Sequence, residues 1–296
     1  MIHTHEPLVS IIMPTFNRED YIGDTIRSIQ DQSLQNWELI IQDDGSDDGT
    51  EDLVSGIEDK RILYYREKRT GVDAMRNEGL KKAKGTYIAF MDSDDLWHPS
   101  KLEKQVQALE AQPDAGFCLV GGYNFKDGDR EAGFFFQQKT GVRTGDFLVP
   151  IFRSEIPVMP PTLLFRRDCL HKTGLFRDVE LAHVDFMFTL ARYFHGVLLY
   201  EPLFYRRLHD KNFSTIHRIA RHHHGIRTIL RHRQFVPRKL IADLLFRSHI
   251  RFGEECLAFS QQRPAIREFM LAWRWKPLSI VPVKKIGKAV LTTLLK

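Results

Sequence analysis

The chain has 296 residues, of which 43% are hydrophobic and 27% are charged. This composition is that of a globular protein and excludes a disordered or a collagen-like chain. The length predicts one large domain with an appendage, or two domains, and it allows a sizeable hydrophobic core.

The net charge of +5 hides an uneven distribution along the chain. Up to Tyr205 there are 23 basic and 33 acidic residues, whereas from Arg206 to Lys296 there are 20 basic and 5 acidic residues. The acidic first part argues against nucleic acid as the partner of the whole protein, and we expect none. The basic last part fits an anionic surface, such as a membrane face or an RNA, and charge alone does not choose between them.

Cysteine usage and the N-terminal sequence bear on the compartment. Cys118, Cys169 and Cys256 lie far apart and form no C-x-x-C pair, which favours a reducing environment. The N-terminus has no basic region followed by an apolar stretch, and nowhere do about 18 apolar residues run together. We therefore expect a cytoplasmic protein that could lie peripherally at the inner face of a membrane.

Short apolar, β-branched runs alternate with helical patterns between residues 8 and 123. This alternation predicts βαβ units, and hence an α/β fold with a mostly parallel central sheet. The predicted strands are Leu8–Met13, Trp37–Gln42, Ile62–Tyr65 and Thr86–Met91. After the first strand, Asn17 is predicted to cap a helix whose apolar face includes Ile22, Ile26 and Ile29.

Polar and acidic residues directly follow three of the predicted strands. They are the segments Pro14–Asn17, Asp43–Ser46 and Asp92–Asp95. In a parallel α/β sheet, ligands bind outside the carboxyl ends of the strands, so one crevice would collect all three segments. Asp and Gly are also ordinary turn formers, but three such turns at one edge of a sheet favour a ligand site.

These segments carry five carboxylates, which repel one another and raise one another's pKa unless a cation or hydrogen-bond donors compensate. Hard oxygen ligands suit Mg²⁺ or Mn²⁺, and Mg²⁺ is usually held by one or two carboxylates together with substrate phosphates. The pattern therefore predicts a divalent cation bound against a diphosphate.

Three segments, Val9–Arg18, Trp37–Ser46 and Tyr87–Trp97, resemble the signature sequences of family 2 glycosyltransferases with the GT-A fold. The intervening Ala74–Asn77 and Gly85 match the same pattern. The resemblance covers about the first 125 residues densely and the next 80 loosely. It implies a Rossmann-like GT-A domain and an inverting transferase that uses a nucleotide sugar.

The resemblance implies a role for individual residues. Phe16 would lie against the nucleobase, and Asp43 would accept a hydrogen bond from the N–H of the base, which points to uridine. Arg76 would face the diphosphate as a charge-assisted donor. Asp94 would ligate the Mn²⁺ or Mg²⁺ ion, with Asp95 as an alternative ligand. The other implied nucleotide-sugar residues are Pro14, Thr15, Asn17, Asp44, Ser93 and, at the ribose, Asp92.

An inverting enzyme of this family also needs a base that deprotonates the acceptor hydroxyl. Family members place it in a Glu-Asp pair at the start of a helix, and the corresponding stretch here, Leu181–Leu190, lacks the Glu. We predict Asp185 as the base because eleven positions separate it from Gly196, whereas an alternative register places His183 there. Otherwise Asp185 only caps a helix that buries aromatic side chains.

The chain is thus expected to contain three parts. Residues 1–125 would form the donor-binding half of a GT-A domain, residues 126–212 its acceptor-binding and catalytic-base half, and residues 213–296 a basic helical C-terminal region. Near the C-terminus, one helical face carries Val283, Ile286, Val290, Leu291 and Leu294, and the opposite face carries Lys284, Lys285 and Lys288. This amphipathic end could rest on an anionic membrane, pack on the domain, or serve an oligomer interface.

The sequence therefore predicts transfer of a sugar from a nucleoside-diphosphate donor, with UDP favoured, to a glycan or lipid-linked acceptor in surface polysaccharide or glycoconjugate synthesis. One alternative is a GT-A-like nucleotide-binding module with impaired catalysis, because the Glu before the predicted base is missing. A second alternative is an aspartyl-phosphate-type hydrolase, whose Asp-x-Asp motif also follows a strand. Leu96 and Trp97 after the acidic run disfavour the hydrolase.

Overall fold

The structure is a computed structural model that describes residues 6–127, 133, 140–156, 158–179, 181–209 and 218–294, and only the backbone of residues 218–223 and 291–294. The chain divides into two compact units, Met1–Asp210 and Lys211–Lys296. The boundary expected between residues 212 and 213 lies outside the described residues.

The described part of the first unit is built on one nine-stranded sheet with helices beside it. The strands are β1 (Val9–Thr15), β2 (Trp37–Asp43), β3 (Ile62–Arg66), β4 (Tyr87–Phe90), β5 (Leu96–Trp97), β6 (Ala115–Phe125), β7 (Val142–Gly145), β8 (Leu163–Arg166) and β9 (His195–Arg207). The helices of this unit are α1 (Ile22–Gln30), α2 (Thr50–Ser55), α3 (Val72–Lys82), α4 (Lys101–Glu110), α5 (Leu148–Phe152), α6 (Leu170–Thr173) and α7 (Ala182–Tyr193).

The order of strands in the sheet is β3-β2-β1-β4-β8-β6-β9-β5, and β7 pairs with β9. The first four strands in this order are parallel. Strand β8 is antiparallel to both of its neighbours, and β9 is parallel to β6. Because β8 runs against β4 and β6 runs against β8, strand β6 and its parallel neighbour β9 point the same way as β1, β2 and β4. The carboxyl ends of these four strands therefore lie along one edge, which confirms the predicted α/β fold class.

Strands β1 and β2 are buried along their whole length, as expected for parallel strands covered on both faces. In the register of this pair Thr15 lies opposite Asp43, so the segments that follow both strands start at the same level. Helix α1 buries Ile22, Ile26 and Ile29, as predicted.

The predicted capping role of Asn17 is wrong. Helix α1 begins at Ile22, and no side chain caps it. The amide of Asn17 instead bonds reciprocally with Asp47, because Nδ2 donates to Asp47 Oδ1 at 2.6 Å and Asp47 N donates to Asn17 Oδ1 at 2.9 Å. Asn17 therefore joins the loop after β1 to the loop after β2.

Helix α3 packs closely on β1 at Gly79. A Cβ atom at this position would lie 2.4 Å from Ile12 Cγ2, which is closer than real Cβ contacts come. A glycine here lets the helix approach the sheet, and Arg76, one turn earlier, is thereby held near the carboxyl end of β4.

The described helices of the second unit are α8 (Arg218–Arg231), α9 (Arg238–Ala258), α10 (Gln262–Trp275) and α11 (Ile280–Leu294), so the expected helical C-terminal region is present. Its core contains Phe252, Cys256, Ala265 and Phe269, with Ile286 packed against it. Among the described residues, no helix has the length and apolarity needed to cross a membrane.

The apolar face predicted near the C-terminus is divided in the structure. Ile286 turns towards the core of the second unit, whereas Val283 and Val290 are exposed. The side chains of Leu291 and Leu294 lie outside the described residues.

Candidate functional site

The edge formed by the carboxyl ends of β1, β2, β4 and β9 gathers most of the residues that the sequence singled out. Pro14 and Thr15 end β1 and are buried, and Phe16 follows them at the surface, half-buried. The guanidinium of Arg69 lies over the Phe16 ring, 4.2 Å from its centroid. An aromatic face and a cation thus lie side by side at the end of β1.

Asp43, the last residue of β2, is completely buried. Its Oδ1 accepts a hydrogen bond from Ser46 N at 2.7 Å, and its Oδ2 accepts one from the Tyr64 hydroxyl at 2.5 Å. Burial, and then the bond to this carboxylate, raise the pKa of Tyr64. Asp43 therefore fixes the loop after β2, and any contact with a base must use the second lone pair of a carboxylate oxygen that is already bonded.

Asp44 organises the segment that precedes α3. Its Oδ1 accepts a hydrogen bond from Thr70 N at 2.6 Å, and its Oδ2 accepts one from Gly71 N at 2.9 Å. Gly71 has a φ of +102°, a conformation that favours glycine. Asp44 thus sets the start of α3, the helix that carries Arg76.

Arg76 joins two carboxylates at the end of β4. Nη1 donates to Asp73 Oδ1 at 2.8 Å, and Nη2 donates to Asp92 Oδ1 at 2.9 Å. Loss of solvation raises the pKa of Asp92, and the charge of Arg76 opposes this rise. The buried guanidinium is therefore fixed beside the acidic run, where a diphosphate would need a positive charge.

Asp94 lies between an arginine and a histidine. Its Oδ2 lies 3.4 Å from Arg18 Nε and 3.1 Å from His209 Nε2. The His209 ring stacks on Tyr21, with the ring centroids 4.6 Å apart. The carboxylate and the imidazole, both nearly buried, are close enough to bind one ion together.

Asp95 is directed into the fold rather than towards Asp94. Its Oδ1 accepts a hydrogen bond from Arg207 N at 2.9 Å, and its carbonyl oxygen accepts one from Thr25 Oγ1 at 2.9 Å. Burial first, and then the neighbouring Asp94 and Asp92 carboxylates, raise the pKa of Asp95 well above its usual range. This geometry favours a structural role for Asp95 over the alternative role as a metal ligand.

Arg207 holds the acidic run against β9. Its Nε donates to the carbonyl oxygen of Asp94 at 3.1 Å, while Nη1 donates to Asp127 Oδ1 at 2.6 Å and Nη2 to Asp24 Oδ2 at 3.1 Å. Ser93, inside the same run, is buried. The turn that presents Asp94 is therefore fixed by side chains from three distant parts of the chain.

The residues predicted as the base lie on α7. Asp185 is only 2% exposed, and its Oδ2 accepts hydrogen bonds from Arg177 Nε at 2.8 Å and Nη2 at 2.5 Å. His183, two positions earlier in the first turn of the helix, is partly exposed. The buried carboxylate thus binds the segment before α7, and His183 is the more accessible of the two candidates.

Helix α7 is connected to the acidic edge through aromatic packing. Phe176 stacks on Phe186 of α7, with centroids 4.7 Å apart, and meets Phe90 of β4 edge-on at 5.3 Å. The guanidinium of Arg76 lies 5.9 Å from the centroid of the Phe176 ring. The start of α7 therefore packs beside the strand that ends in the acidic run.

Sequence reasoning missed His209, Arg207 and Arg18. Arg18 directly follows the Pro14–Asn17 segment, and His209 comes just after the last residue of β9. The rule that ligand residues follow parallel strands would have found His209 if the end of β9 had been located. Among the described residues, no three His, Cys, Asp or Glu side chains converge as a metal cluster.

A sequence model of Glycosyl transferase family 2 matches residues 10–168, more than half of the chain. The chain belongs to this family. The match includes β1, β2, β4 and the acidic run, and it disfavours the hydrolase alternative.

Two curated relatives are similar to about one third of the chain. TuaG of Bacillus subtilis, whose name places it in teichuronic acid biosynthesis, is 50% identical over 107 residues, 35% of this chain and 42% of TuaG. The Escherichia coli protein WfgD, named as a UDP-Glc:alpha-D-GlcNAc-diphosphoundecaprenol beta-1,3-glucosyltransferase, is 46% identical over 103 residues, 34% of this chain and 41% of WfgD. The chain spans less than half the length of these relatives.

Two solved structures share the fold over most of the chain. Staphylococcus aureus TarS 1–349 in complex with UDP-GlcNAc has a TM-score of 0.69 at 16% identity, and the match covers 95% of this chain and 88% of that one. The mannosyltransferase PcManGT from Pyrobaculum calidifontis, in complex with GDP-Man and Mn²⁺, has a TM-score of 0.63 at 19% identity, covering 98% and 81%. At these identities the likeness shows the GT-A fold alone.

Proposed function

We propose that this protein is an inverting glycosyltransferase that moves a sugar from a UDP-linked donor to a glycan or lipid-linked acceptor in surface polysaccharide or glycoconjugate synthesis. The observation that carries the proposal is the meeting of Asp94 and His209 at the edge where Phe16 and Arg76 also lie. This edge offers an aromatic face for a base, a fixed cation for a diphosphate, and two metal-binding atoms.

The donor would extend along this edge. Phe16 would contact the base, with Arg69 above its ring, while Asp43 and Asp44 hold the loops around it. Asp92 would lie at the ribose and Arg76 at the diphosphate. WfgD, 46% identical over 103 residues, is named for a UDP-Glc donor, which supports a UDP-linked donor here.

A divalent cation, Mn²⁺ or Mg²⁺, would be held by Asp94 and His209. Asp94 Oδ2 and His209 Nε2 lie 3.1 Å apart, and a carboxylate is the protein ligand that suits Mn²⁺ or Mg²⁺. Such an ion, completed by substrate phosphates, would neutralise the charge that develops on the departing nucleoside diphosphate. PcManGT binds Mn²⁺ together with its nucleotide sugar.

For the base we favour His183 over Asp185. The Asp185 carboxylate is buried and bonded to Arg177, so taking a proton from an acceptor would break that pair. His183 is more exposed on the first turn of the same helix. In this proposal His183 takes the proton of the acceptor hydroxyl, and Asp185 positions the start of α7 through Arg177.

The acceptor would be presented at the inner face of a membrane. The name of WfgD contains a diphosphoundecaprenol-linked sugar, and from Arg206 to Lys296 this chain carries 20 basic and 5 acidic residues. A positive region of this kind attracts anionic lipid headgroups. We therefore place the protein in the cytoplasm, peripherally associated with the membrane.

Isothermal titration with UDP, with and without Mn²⁺, tests the donor site. The wild-type protein should bind UDP more tightly when Mn²⁺ is present, and Asp94→Ala should remove this difference. Asp31→Ala, at an exposed position that ends α1, is the matched control and should behave as wild type. Binding that ignores both Mn²⁺ and the Asp94 substitution would contradict the proposed site.

A second candidate is a GT-A-like module that binds the nucleotide but has impaired catalysis. The observation that favours it is the burial of Asp185 in a helix start without the Glu-Asp pair. A screen of UDP-sugars for donor hydrolysis separates the two candidates. Hydrolysis above background that Asp94→Ala abolishes supports an enzyme, whereas UDP binding without any turnover supports the module.

A further inference from the structure

The second unit exposes several apolar side chains at and around the turn between α10 and α11. We call the exposed side chains there the apolar tip, and they are Trp273, Trp275, Leu278, Ile280, Val281 and Val283. Leu278 is fully exposed, and Ile280 is 62% exposed. Single exposed apolar residues are common on proteins, but six of them within the eleven positions from Trp273 to Val283, two of them tryptophans, indicate an interaction surface.

The tip does not belong to the core of its own unit. That core is formed by Phe252, Cys256, Ala265 and Phe269, on the facing sides of α9 and α10. The indole Nε1 of Trp273 donates a hydrogen bond to the carbonyl oxygen of Pro277 at 2.7 Å. This bond holds the Trp273 ring at the turn, so the apolar surface is already formed before any partner arrives.

The surroundings of the tip are strongly basic. From Phe269 to Lys296 the chain has six basic residues and no acidic residue. Arg274, Lys284 and Lys288 are exposed, while Lys276 and Lys285 form ion pairs with Asp243 and Glu254 of α9. The hydrogen bond from Lys276, and then the charges of Lys276, Arg247 and Lys239, lower the pKa of the Asp243 carboxyl group. The charged residues of the segment that carries the tip are therefore all basic, and the acidic partners of Lys276 and Lys285 lie on α9.

The basic residues around the tip favour an anionic lipid surface over a second copy of the chain as the partner. In a symmetric dimer the same patch would face itself, so the lysines and arginines of two copies would be brought together at a cost in free energy. An anionic lipid surface would instead attract them. Tryptophan is also the side chain that collects at the boundary between lipid headgroups and hydrocarbon.

We infer that the apolar tip inserts into the headgroup region of an anionic lipid bilayer, with the surrounding lysines and arginines on the phospholipid headgroups. This surface is displaced from the face that the sequence predicted, because Ile286 packs inwards and the α10–α11 turn provides the apolar contact instead. The inference rests on the membrane association proposed above, for which it names the contact surface, and it does not depend on the proposed transfer reaction.

Intrinsic fluorescence reports directly on the tip. The chain has four tryptophans, of which Trp37 and Trp97 are buried and Trp273 and Trp275 are exposed. Vesicles of phosphatidylcholine with phosphatidylglycerol should shift the emission to the blue, and lipids brominated on the acyl chains should quench it. Binding to vesicles of phosphatidylcholine alone, measured by the same fluorescence changes, should be at least tenfold weaker.

A pair of variants tests whether the tip is the cause. Leu278→Asp with Ile280→Asp should reduce binding to anionic vesicles at least tenfold in a flotation assay, and these exposed positions should leave the melting temperature unchanged. Phe259→Asp is the matched control, since Phe259 is 67% exposed at the turn between α9 and α10, and it should bind as wild type.

Three results would overturn the inference. The first is the absence of quenching by brominated anionic vesicles. The second is an equal loss of vesicle binding in the tip variant and in the Phe259 control. The third is a tip variant that loses an oligomeric state in light scattering while its vesicle binding is unchanged. The last result would assign the tip to a second copy of the chain. Because no nucleotide sugar is present in these assays, their failure would leave the proposed transferase activity untouched.

Discussion

His209 Nε2 lies 3.1 Å from Asp94 Oδ2, although 115 positions separate the two residues in the chain. The proximity follows from strand direction, since β9 runs parallel to β4 through two intervening strands. The dependence of UDP binding on Mn²⁺ is therefore the most direct test of His209 as a metal ligand.

His209→Ala should weaken Mn²⁺-dependent UDP binding by at least about ten- to a hundredfold, because that range applies to residues that only hydrogen-bond to a metal ligand and a direct ligand contributes no less. UDP binding without metal should change much less. Titration calorimetry at several Mn²⁺ concentrations measures both quantities. His195→Ala, at the exposed start of the same strand, should bind as wild type, and equal effects of the two substitutions would exclude His209 as a ligand.

Arg76→Ala should lower the free energy of unfolding by about 2–3 kcal/mol. The substitution leaves Asp73 and Asp92 without their shared cation, and breaking a fully buried pair costs about 3–5 kcal/mol. We expect a smaller loss than for a fully buried pair because the Asp73 and Asp92 carboxylates are both roughly one-third exposed. Urea denaturation measures the change.

Lys81→Ala, on the same helix, removes a surface pair with Glu78 and should cost at most about 1 kcal/mol. A similar loss for both variants would mean that the position of Arg76 contributes nothing beyond an ordinary surface charge. The Arg76 variant should in addition bind UDP less tightly, and the Lys81 variant should not.

His183→Ala should reduce the rate of transfer by about 10²- to 10⁴-fold, the usual contribution of a general base, without changing the melting temperature. Asp185→Asn should lower the melting temperature, because the neutral amide pairs less strongly with Arg177. Its residual activity at low temperature should exceed that of His183→Ala. The opposite ranking, with Asp185→Asn inactive but fully stable, would restore Asp185 as the base.

Lys101 makes stability depend on pH. Its side chain is completely buried over Trp97, and burial lowers its pKa to about 7. Between that value and the ordinary lysine pKa the unfolded chain binds more protons than the folded one, so stability rises with pH. The expected gain from Lys101 between pH 7 and 8.5 is roughly 1.5 kcal/mol.

Urea denaturation at these two pH values measures this gain. Lys101→Met should reduce the increase in the free energy of unfolding between pH 7 and pH 8.5. This holds even if the loss of the hydrogen bond to Gln105 changes stability at both pH values. Lys104→Met, on the same helix and half-exposed, should keep the rise. An unchanged slope in the Lys101 variant would show that another group is responsible.

The first half of the sheet could be predicted from the sequence because its strands are continuous apolar runs that end at turn residues. Strand β1 was predicted to end at Met13 and ends at Thr15, an error that does not move the site. Parallel pairing then places Phe16, Asp44 and Asp92 at one edge by a general rule, without knowledge of any side-chain contact.

The rest depends on tertiary contacts that leave no local signal. The end of β9 could not be located because its pairing with β6 contains register shifts, so His209 was missed. Asn17 looks like a helix cap, but its amide is used by Asp47, 30 positions away. Asp185 suits a base by its spacing, and only the fold reveals that Arg177 covers it.

The separation of Asp94 and His209 has a consequence for folding. A contact between residues so distant in sequence forms only after a large loop has closed, and sheets with many such contacts assemble slowly. A chain that stops before β9 could contain every signature segment and still lack His209, one of the two residues proposed to bind the metal. Nucleotide affinity in the presence of Mn²⁺ would therefore show whether the first unit has folded through β9. This affinity could be measured during refolding or during synthesis of the chain.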